Sequence, residues 1–127
     1  MRERTRLDDE VQGAACRALL DGILEPLRLA ARSQGYAIAV HGSLCRDVDL
    51  VAIPWIDEAQ SLDELLLAIQ GALRATIGNG ITREFVKKPH GRVATIIITF
   101  CGQNHYEIDL SVMPRVVVEK KQAETDA

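Results

Sequence analysis

Three aspartates in this sequence have the spacing of a site for a divalent metal ion. Asp47 and Asp49 lie two residues apart in a segment that alternates apolar and polar side chains, and Asp109 lies in a second such segment. Alternate residues of a strand point to the same face of a sheet, so the first two carboxylates can share a cation. Mg²⁺ and Mn²⁺ prefer oxygen ligands, and two such ions can assist an in-line phosphoryl displacement. The pattern predicts a Mg²⁺ or Mn²⁺ site formed by these three residues.

A Gly-Ser pair stands just ahead of the aspartates and strengthens this prediction. Gly42 and Ser43 end an apolar segment that begins near residue 36. An isolated Asp-x-Asp pair is more often a solvated strand face than a ligand site. Its combination with a Gly-Ser turn and a third aspartate flanked by apolar residues favours a metal or phosphate site. Glu107, on the expected face of Asp109, is a spare ligand candidate.

The stretches around these residues predict an α/β (α+β) fold. Apolar periodicity and turn residues indicate helices at 5–33 and 62–77 and strands at 36–40, 46–53, 81–86, 93–100 and 105–113. We expect a mixed sheet of about five strands with the helices packed on one face. The other face would stay partly open and carry the carboxylates.

Single residues refine these elements. Pro26 is expected to kink or split the first helix, because its ring clashes with the preceding turn. Ser61 and Glu64 form a capping box at the start of the second helix. Trp55, after the strand with Asp49, is expected to pack under the second helix as part of the core.

Length and composition predict one cytoplasmic domain. The chain has 127 residues, of which 47% are hydrophobic, so residues 1–127 suit a single domain, with a flexible tail from about residue 119. A net charge of −3 argues against non-specific binding to long nucleic acid. Three widely spaced cysteines favour reduced thiols. No apolar run matches a membrane span or a secretory signal, which predicts a cytoplasmic protein without membrane contact.

The motifs resemble those of a known superfamily. Residues 40–43 read Val-His-Gly-Ser, residues 47–50 read Asp-Val-Asp-Leu, and residues 108–110 read Ile-Asp-Leu. This is similar to the pattern of the polymerase-beta-like nucleotidyltransferases, and the resemblance covers about residues 36–113. The longer runs 41–55 and 108–115 are similar to small phage- and prophage-type members, a match that specifies no substrate.

The resemblance implies a reaction and a division of roles. Proteins of this superfamily transfer a nucleoside monophosphate from a nucleoside triphosphate to a hydroxyl acceptor, here unidentified. Gly42 and Ser43 would hold the triphosphate, and Asp47 and Asp49 would ligate both metal ions. Asp109 would complete the shell of the catalytic ion and help to activate the acceptor hydroxyl.

Two basic residues are further candidates for binding the nucleotide. Arg46 can contact a phosphate or pair with Asp47 or Asp109, and the sequence does not separate these uses. Lys88 belongs to a basic turn at residues 87–92 that can reach phosphates, although a solvated hairpin tip explains the turn slightly better. His41 is more simply a polar residue at the end of a strand.

One departure from the superfamily pattern leaves other functions open. Only three residues separate Ser43 from Asp47, where typical members have a longer segment over the phosphates. The short link fits a non-catalytic module that binds a nucleotide or a partner protein. Metal-assisted hydrolysis of a phosphoester would use the same acids. The resemblance also implies a homo-oligomer or a helical partner protein, for which the N-terminal helix offers a face; covering the sheet explains that helix equally well.

Overall fold

Two helices and six strands make up the part of the chain described by the computed structural model, which comprises residues 3–44, 46–102 and 104–115. The thiol of Cys45 and the predicted tail lie outside the described residues. The helices are α1 (Arg6–Ser33) and α2 (Leu62–Ile77). The strands are β1 (Tyr36–His41), β2 (Val48–Pro54), β3 (Ile81–Thr82), β4 (Val86–Lys87), β5 (Val93–Cys101) and β6 (Asn104–Val112). A 3₁₀ turn at Pro89–Gly91 joins β4 to β5.

Helix α1 is capped at its start and continuous along its length. The Thr5 side chain accepts a hydrogen bond from the backbone N–H of Asp8, and the Asp8 carboxylate accepts one from the backbone N–H of Thr5 at 2.7 Å. The helix continues through Pro26, so of the predicted kink or split the structure excludes the split. Buried Ile23 and Leu27 anchor the turns around the proline to the core, and this packing outweighs the lost backbone bond.

Helix α2 begins and ends as its sequence predicts. The Ser61 hydroxyl accepts a hydrogen bond from the backbone N–H of Glu64 at 3.3 Å, which forms the serine half of the predicted capping box. Gly78 ends the helix in the left-handed conformation, with φ +99°. The predicted apolar stripe is buried at Leu65, Ile69 and Leu73.

The strands form one mixed sheet in the order β1-β2-β6-β5-β3, with β4 also paired to β5. Strands β2 and β6 are parallel, and the other pairs are antiparallel. Both helices pack on one face, as predicted, where their apolar side chains share a core with alternate residues of the strands. The fold is therefore mixed α+β, consistent at this level with a nucleotidyltransferase-like fold.

A β-bulge explains why six strands replace the expected five. The predicted strand 81–86 pairs with β5 in two pieces, Thr82 opposite Ile97 and Val86 opposite Ala94. Val86 is four residues after Thr82, but their partners on β5 are only three residues apart. The segment between β3 and β4 therefore contains one extra residue. The backbone N–H of Arg83 still donates to the Ile96 carbonyl at 3.0 Å.

The expectation that Trp55 packs in the core is wrong. Trp55 is 58% exposed instead of buried under α2, because its backbone N–H donates to the Gly35 carbonyl and holds it near the edge strand β1. In α1 the buried stripe begins at Gly13 and Cys16, so Val11 is 62% exposed. Within the described residues, neither helix is long and apolar enough to cross a membrane.

Candidate functional site

Asp49 and Asp109 lie side by side at the centre of the face that the helices leave open. They are direct partners in the parallel pairing of β2 with β6. Their chain neighbours Val48, Leu50 and Ile108 are buried on the helix face, so both aspartate side chains point away from the core. Neighbouring strands are about 4.8 Å apart, which brings the two carboxylates within reach of a single cation.

The surroundings of Asp49 oppose its ionisation. Partial burial raises the pKa of the Asp49 carboxyl, and the charge of Asp109 raises it further. His41, directly opposite Asp49 on β1, acts in the other direction. Asp47 makes a smaller contribution that again raises the pKa. Two adjacent carboxylates on an open face thus carry an electrostatic cost that a bound cation would remove.

Gly42 brings a turn of backbone against the Asp49 carboxylate. Its φ is +77°, a conformation that side-chain-bearing residues rarely adopt. A Cβ atom on residue 42 would overlap the Asp49 carboxylate oxygen Oδ2. The predicted Gly-Ser turn and the predicted acid are therefore in direct contact, although the chain between them is short.

The short link after this turn is held by α1. Leu44 adopts φ +59° and packs against the core, an unusual conformation for a bulky side chain. The Gln12 side chain donates to the backbone carbonyl of Arg46 at 2.8 Å. Asp47 lies in the bend just before β2 and is half-buried, so it does not take part in the strand pairing that aligns the other two aspartates.

Arg46 points towards the helix and away from the acids. Its Nε lies 3.4 Å from the carboxylate of Asp9, which Arg4 also contacts at 2.6 Å. The hydrogen bond from Arg4 and the charges of both arginines lower the pKa of Asp9. Of the uses considered for Arg46, an ion pair with an aspartate is realised, with Asp9 in place of Asp47 or Asp109.

The three predicted metal ligands do not form a closed cluster. Across the described ranges, the His, Cys, Asp and Glu side chains give no group of three or more that could hold a metal ion. The structure brings together Asp49 and Asp109, and Asp47 stays at the start of the strand. Glu107, the spare candidate, lies on the open face opposite Ile98 of β5.

A cavity of about 150 Å³ opens beside Asp109 on the open face. Its charged lining residues are Arg83, Glu84, Lys88 and Asp109. Lys88 is thus close to an aspartate of the site, but it lies on the far side of that aspartate from Gly42. Sequence reasoning missed Arg83, because the bulge that brings it to the open face arises from the pairing of two short segments with β5, which no local sequence pattern marks.

Two residues of the predicted basic turn, Lys88 and Arg92, lie over the open face of the sheet. The Arg92 guanidinium donates to the Ser111 hydroxyl at 2.9 Å and covers that residue, two positions after Asp109. Lys87 pairs with Val93 at the other face of the strand, and His90 is exposed with φ +66°. The turn therefore combines a solvated tip with two residues, Lys88 and Arg92, on the open face.

Comparison with protein-family models and with curated proteins finds no match for this sequence. The functional conclusion therefore follows from the motif residues and their arrangement on the sheet.

Proposed function

We propose that this protein is a small metal-dependent nucleotidyltransferase. It would transfer a nucleoside monophosphate from a nucleoside triphosphate to a hydroxyl acceptor. One observation carries the proposal: Asp49 and Asp109 are paired on the open face, with the Gly42 turn in contact with the first of them.

The cost of the acidic pair supports a functional role. The two carboxylates repel each other, and partial burial adds to the raised pKa of Asp49. Two acids with a purely structural role would need hydrogen-bond donors around them. On β1, the residue opposite Asp49 is His41, which offers one polar side chain. Perturbed acids in such a position are typical of sites that bind a cation or move a proton.

The donor set fits Mg²⁺ or Mn²⁺. Mg²⁺ is commonly held by one or two carboxylates together with water and substrate phosphates, so Asp49 and Asp109 suffice as protein ligands and Asp47 is a third candidate. A bound ion would neutralise charge on the phosphates and polarise them towards attack. The closed cluster of a structural metal site is not required for this chemistry.

The chain's own residues would bind and orient the reactants. The backbone at Gly42, which has no side chain, allows a triphosphate to approach, and the exposed Ser43 can donate its hydroxyl to a phosphate oxygen. Asp109 would accept the proton of the acceptor hydroxyl. The acceptor oxygen then forms a bond to the α-phosphorus, while the bond from that phosphorus to the leaving pyrophosphate breaks.

Substitution of Asp49 tests this proposal. We expect Asp49→Asn to lower Mg²⁺-dependent pyrophosphate release from nucleoside triphosphates by about 100-fold or more, a barrier increase of about 2.7 kcal/mol. The assay would supply the four common triphosphates and a panel of hydroxyl compounds. Asp57→Asn, in an exposed turn outside the site, is the matched control and should keep full activity. Undiminished release by the Asp49 variant would refute the role given to this residue.

A second candidate is a non-catalytic module that binds a nucleotide. The short link from Ser43 to Asp47, held to α1 through Arg46, favours it because little backbone remains to cover a triphosphate. Such a module would be stabilised by a nucleotide with Mg²⁺ in a thermal-shift assay but would release no pyrophosphate. Turnover that depends on Asp49 would exclude it.

A further inference from the structure

The bulge between β3 and β4 directs charged side chains onto the open face. Bulges commonly redirect side chains next to functional sites. Here the extra residue lies between Thr82 and Val86, and both Arg83 and Glu84 line the cavity beside Asp109. The Thr95 hydroxyl donates to the Arg83 carbonyl at 2.5 Å and fixes the backbone of the bulge.

Across the open face of the sheet, the two acids lie between the Gly42 turn on one side and the cations of the cavity on the other. The Gly42 turn follows the edge strand β1, Asp49 lies on β2, Asp109 on β6, and the cations of the cavity adjoin β5. In the described part of the chain, neither Arg83 nor Lys88 takes part in an ion pair. Two cations are thus available on the side of Asp109 opposite the Gly-Ser turn.

The cavity has the size of a subsite. Its volume of about 150 Å³ would hold on the order of five water molecules at ~30 Å³ each. A phosphate group fits such a space, but a whole nucleotide does not. Val86 and Ile96 supply apolar surface on the walls of the cavity, beside the two cations.

The second carboxylate of the cavity limits what can bind. Glu84 lines the same cavity as Arg83 and Lys88, so it would repel a second anionic group. The whole chain carries a net charge of −3, which also disfavours a polyanion. One compact phosphate group on a small molecule suits this balance better than a nucleic-acid strand.

We infer that the cavity lined by Arg83 and Lys88 binds the phosphate group of the acceptor, and that the acceptor is a small phosphorylated hydroxyl compound. This inference rests on the proposed function, in which the acceptor hydroxyl lies at Asp109. The cavity extends from β6 across β5 to β4, so the phosphate would lie about one to two strand spacings, ~5–10 Å, from that hydroxyl. A single sugar ring spans this distance. Lys88, predicted to contact the nucleotide, would therefore bind the acceptor.

Binding of ribose 5-phosphate to the full chain without metal tests the inference. We expect calorimetric titration to show binding of ribose 5-phosphate and none of ribose. Arg83→Gln and Lys88→Gln should each weaken the affinity about 10-fold or more, because each removes one hydrogen bond between opposite charges. Lys87→Gln, the neighbouring lysine on the other face, is the matched control and should leave the affinity unchanged. All three side chains are exposed, so circular dichroism should show an unaltered fold.

Several results would overturn the inference. Equal losses for Lys87→Gln and Lys88→Gln would indicate only a general surface attraction, and no loss at Arg83 or Lys88 would remove the site. Competition between ribose 5-phosphate and ATP would assign the cavity to the nucleotide instead of the acceptor. Tighter, Arg83-dependent binding of a single-stranded oligonucleotide would replace the small molecule by nucleic acid.

The same titration separates this inference from the proposed function. Phosphate binding at Arg83 and Lys88 needs neither metal nor turnover, so it would persist if pyrophosphate release were absent. Conversely, turnover that depends on Asp49 together with an inert cavity would keep the reaction and reject this acceptor class.

Discussion

Asp49 is needed for the proposed function, but its charge destabilises the folded chain when no cation is bound. Its carboxyl has a raised pKa because of partial burial and the neighbouring Asp109, so its ionised form is less favourable in the folded chain than in the unfolded chain. Without a cation, the ionised side chain lowers the free energy of unfolding. Residues kept at such a cost are characteristic of functional sites.

Asparagine at position 49 should therefore stabilise the metal-free protein. Cross-strand charge pairs change stability by about 0.2–1 kcal/mol, which corresponds to a rise in Tm of about 1–5 °C for a domain of this size. The gain should be full at a pH above the raised pKa of Asp49, should fall as the pH drops through that pKa, and should vanish well below the ordinary aspartate pKa of 3.8, where the carboxyl is neutral in both states. Thermal unfolding in EDTA at several pH values measures this. A lower Tm for Asp49→Asn at neutral pH would contradict the electrostatic account.

Gly42 should be intolerant of a side chain for two separable reasons. A left-handed conformation costs a residue such as alanine about 1–2 kcal/mol, and at Gly42 the new Cβ also displaces the Asp49 carboxylate. Gly102 has φ +65° and open space around it, so an alanine there would incur only the cost of the left-handed conformation. We expect Gly42→Ala to destabilise the protein more than Gly102→Ala does in urea unfolding. In an Asp49→Ala background the excess should disappear, whereas an equal excess there would exclude the contact.

At the scale of the elements, helices and strands with clear apolar periodicity were predictable from the sequence, whereas the bulge and the pairing of the strands were not. Both helices, the long strands and the shared face of Asp49 and Asp109 follow from apolar periodicity. The pairing of β2 with β6 that makes these two acids neighbours depends on sheet topology, which no local pattern encodes. The bulge at Arg83 and the ion pair of Arg46 with Asp9 likewise arise from tertiary contacts.

Pro26 illustrates how core packing overrides a local preference. Proline in a helix interior costs about 3 kcal/mol relative to alanine, yet α1 is continuous through it. Pro26→Ala should raise the free energy of unfolding by at least about 1 kcal/mol, after the loss of proline's restriction on the unfolded chain is subtracted. Glu25→Ala, at the adjacent exposed position, should change it by less than about 0.5 kcal/mol. Denaturant unfolding compares the two, and destabilisation by Pro26→Ala would show that the ring itself packs favourably.

At the scale of the whole molecule, one face of the sheet forms the core and the other face carries the candidate site. The helix face carries the buried apolar residues, while the open face carries the acids, the Gly-Ser turn and the cations of the cavity. The N-terminal part of α1 extends this division, because Leu7 and Val11 stay exposed while Asp9 and Gln12 hold the link before β2. One helix thus supports the core and also positions the loop of the candidate site.

The central claim is that Asp49 and Asp109 jointly hold a divalent ion beside a nucleotide at the Gly42 turn. Crystals soaked with Mn²⁺ and a non-hydrolysable nucleoside triphosphate analogue test it most directly, because Mn²⁺ is located by its anomalous scattering. We expect an anomalous peak in contact with both carboxylates and with phosphate oxygens next to Gly42 and Ser43. Bound nucleotide with no Mn²⁺ at this pair, or Mn²⁺ held elsewhere on the chain, would contradict the claim.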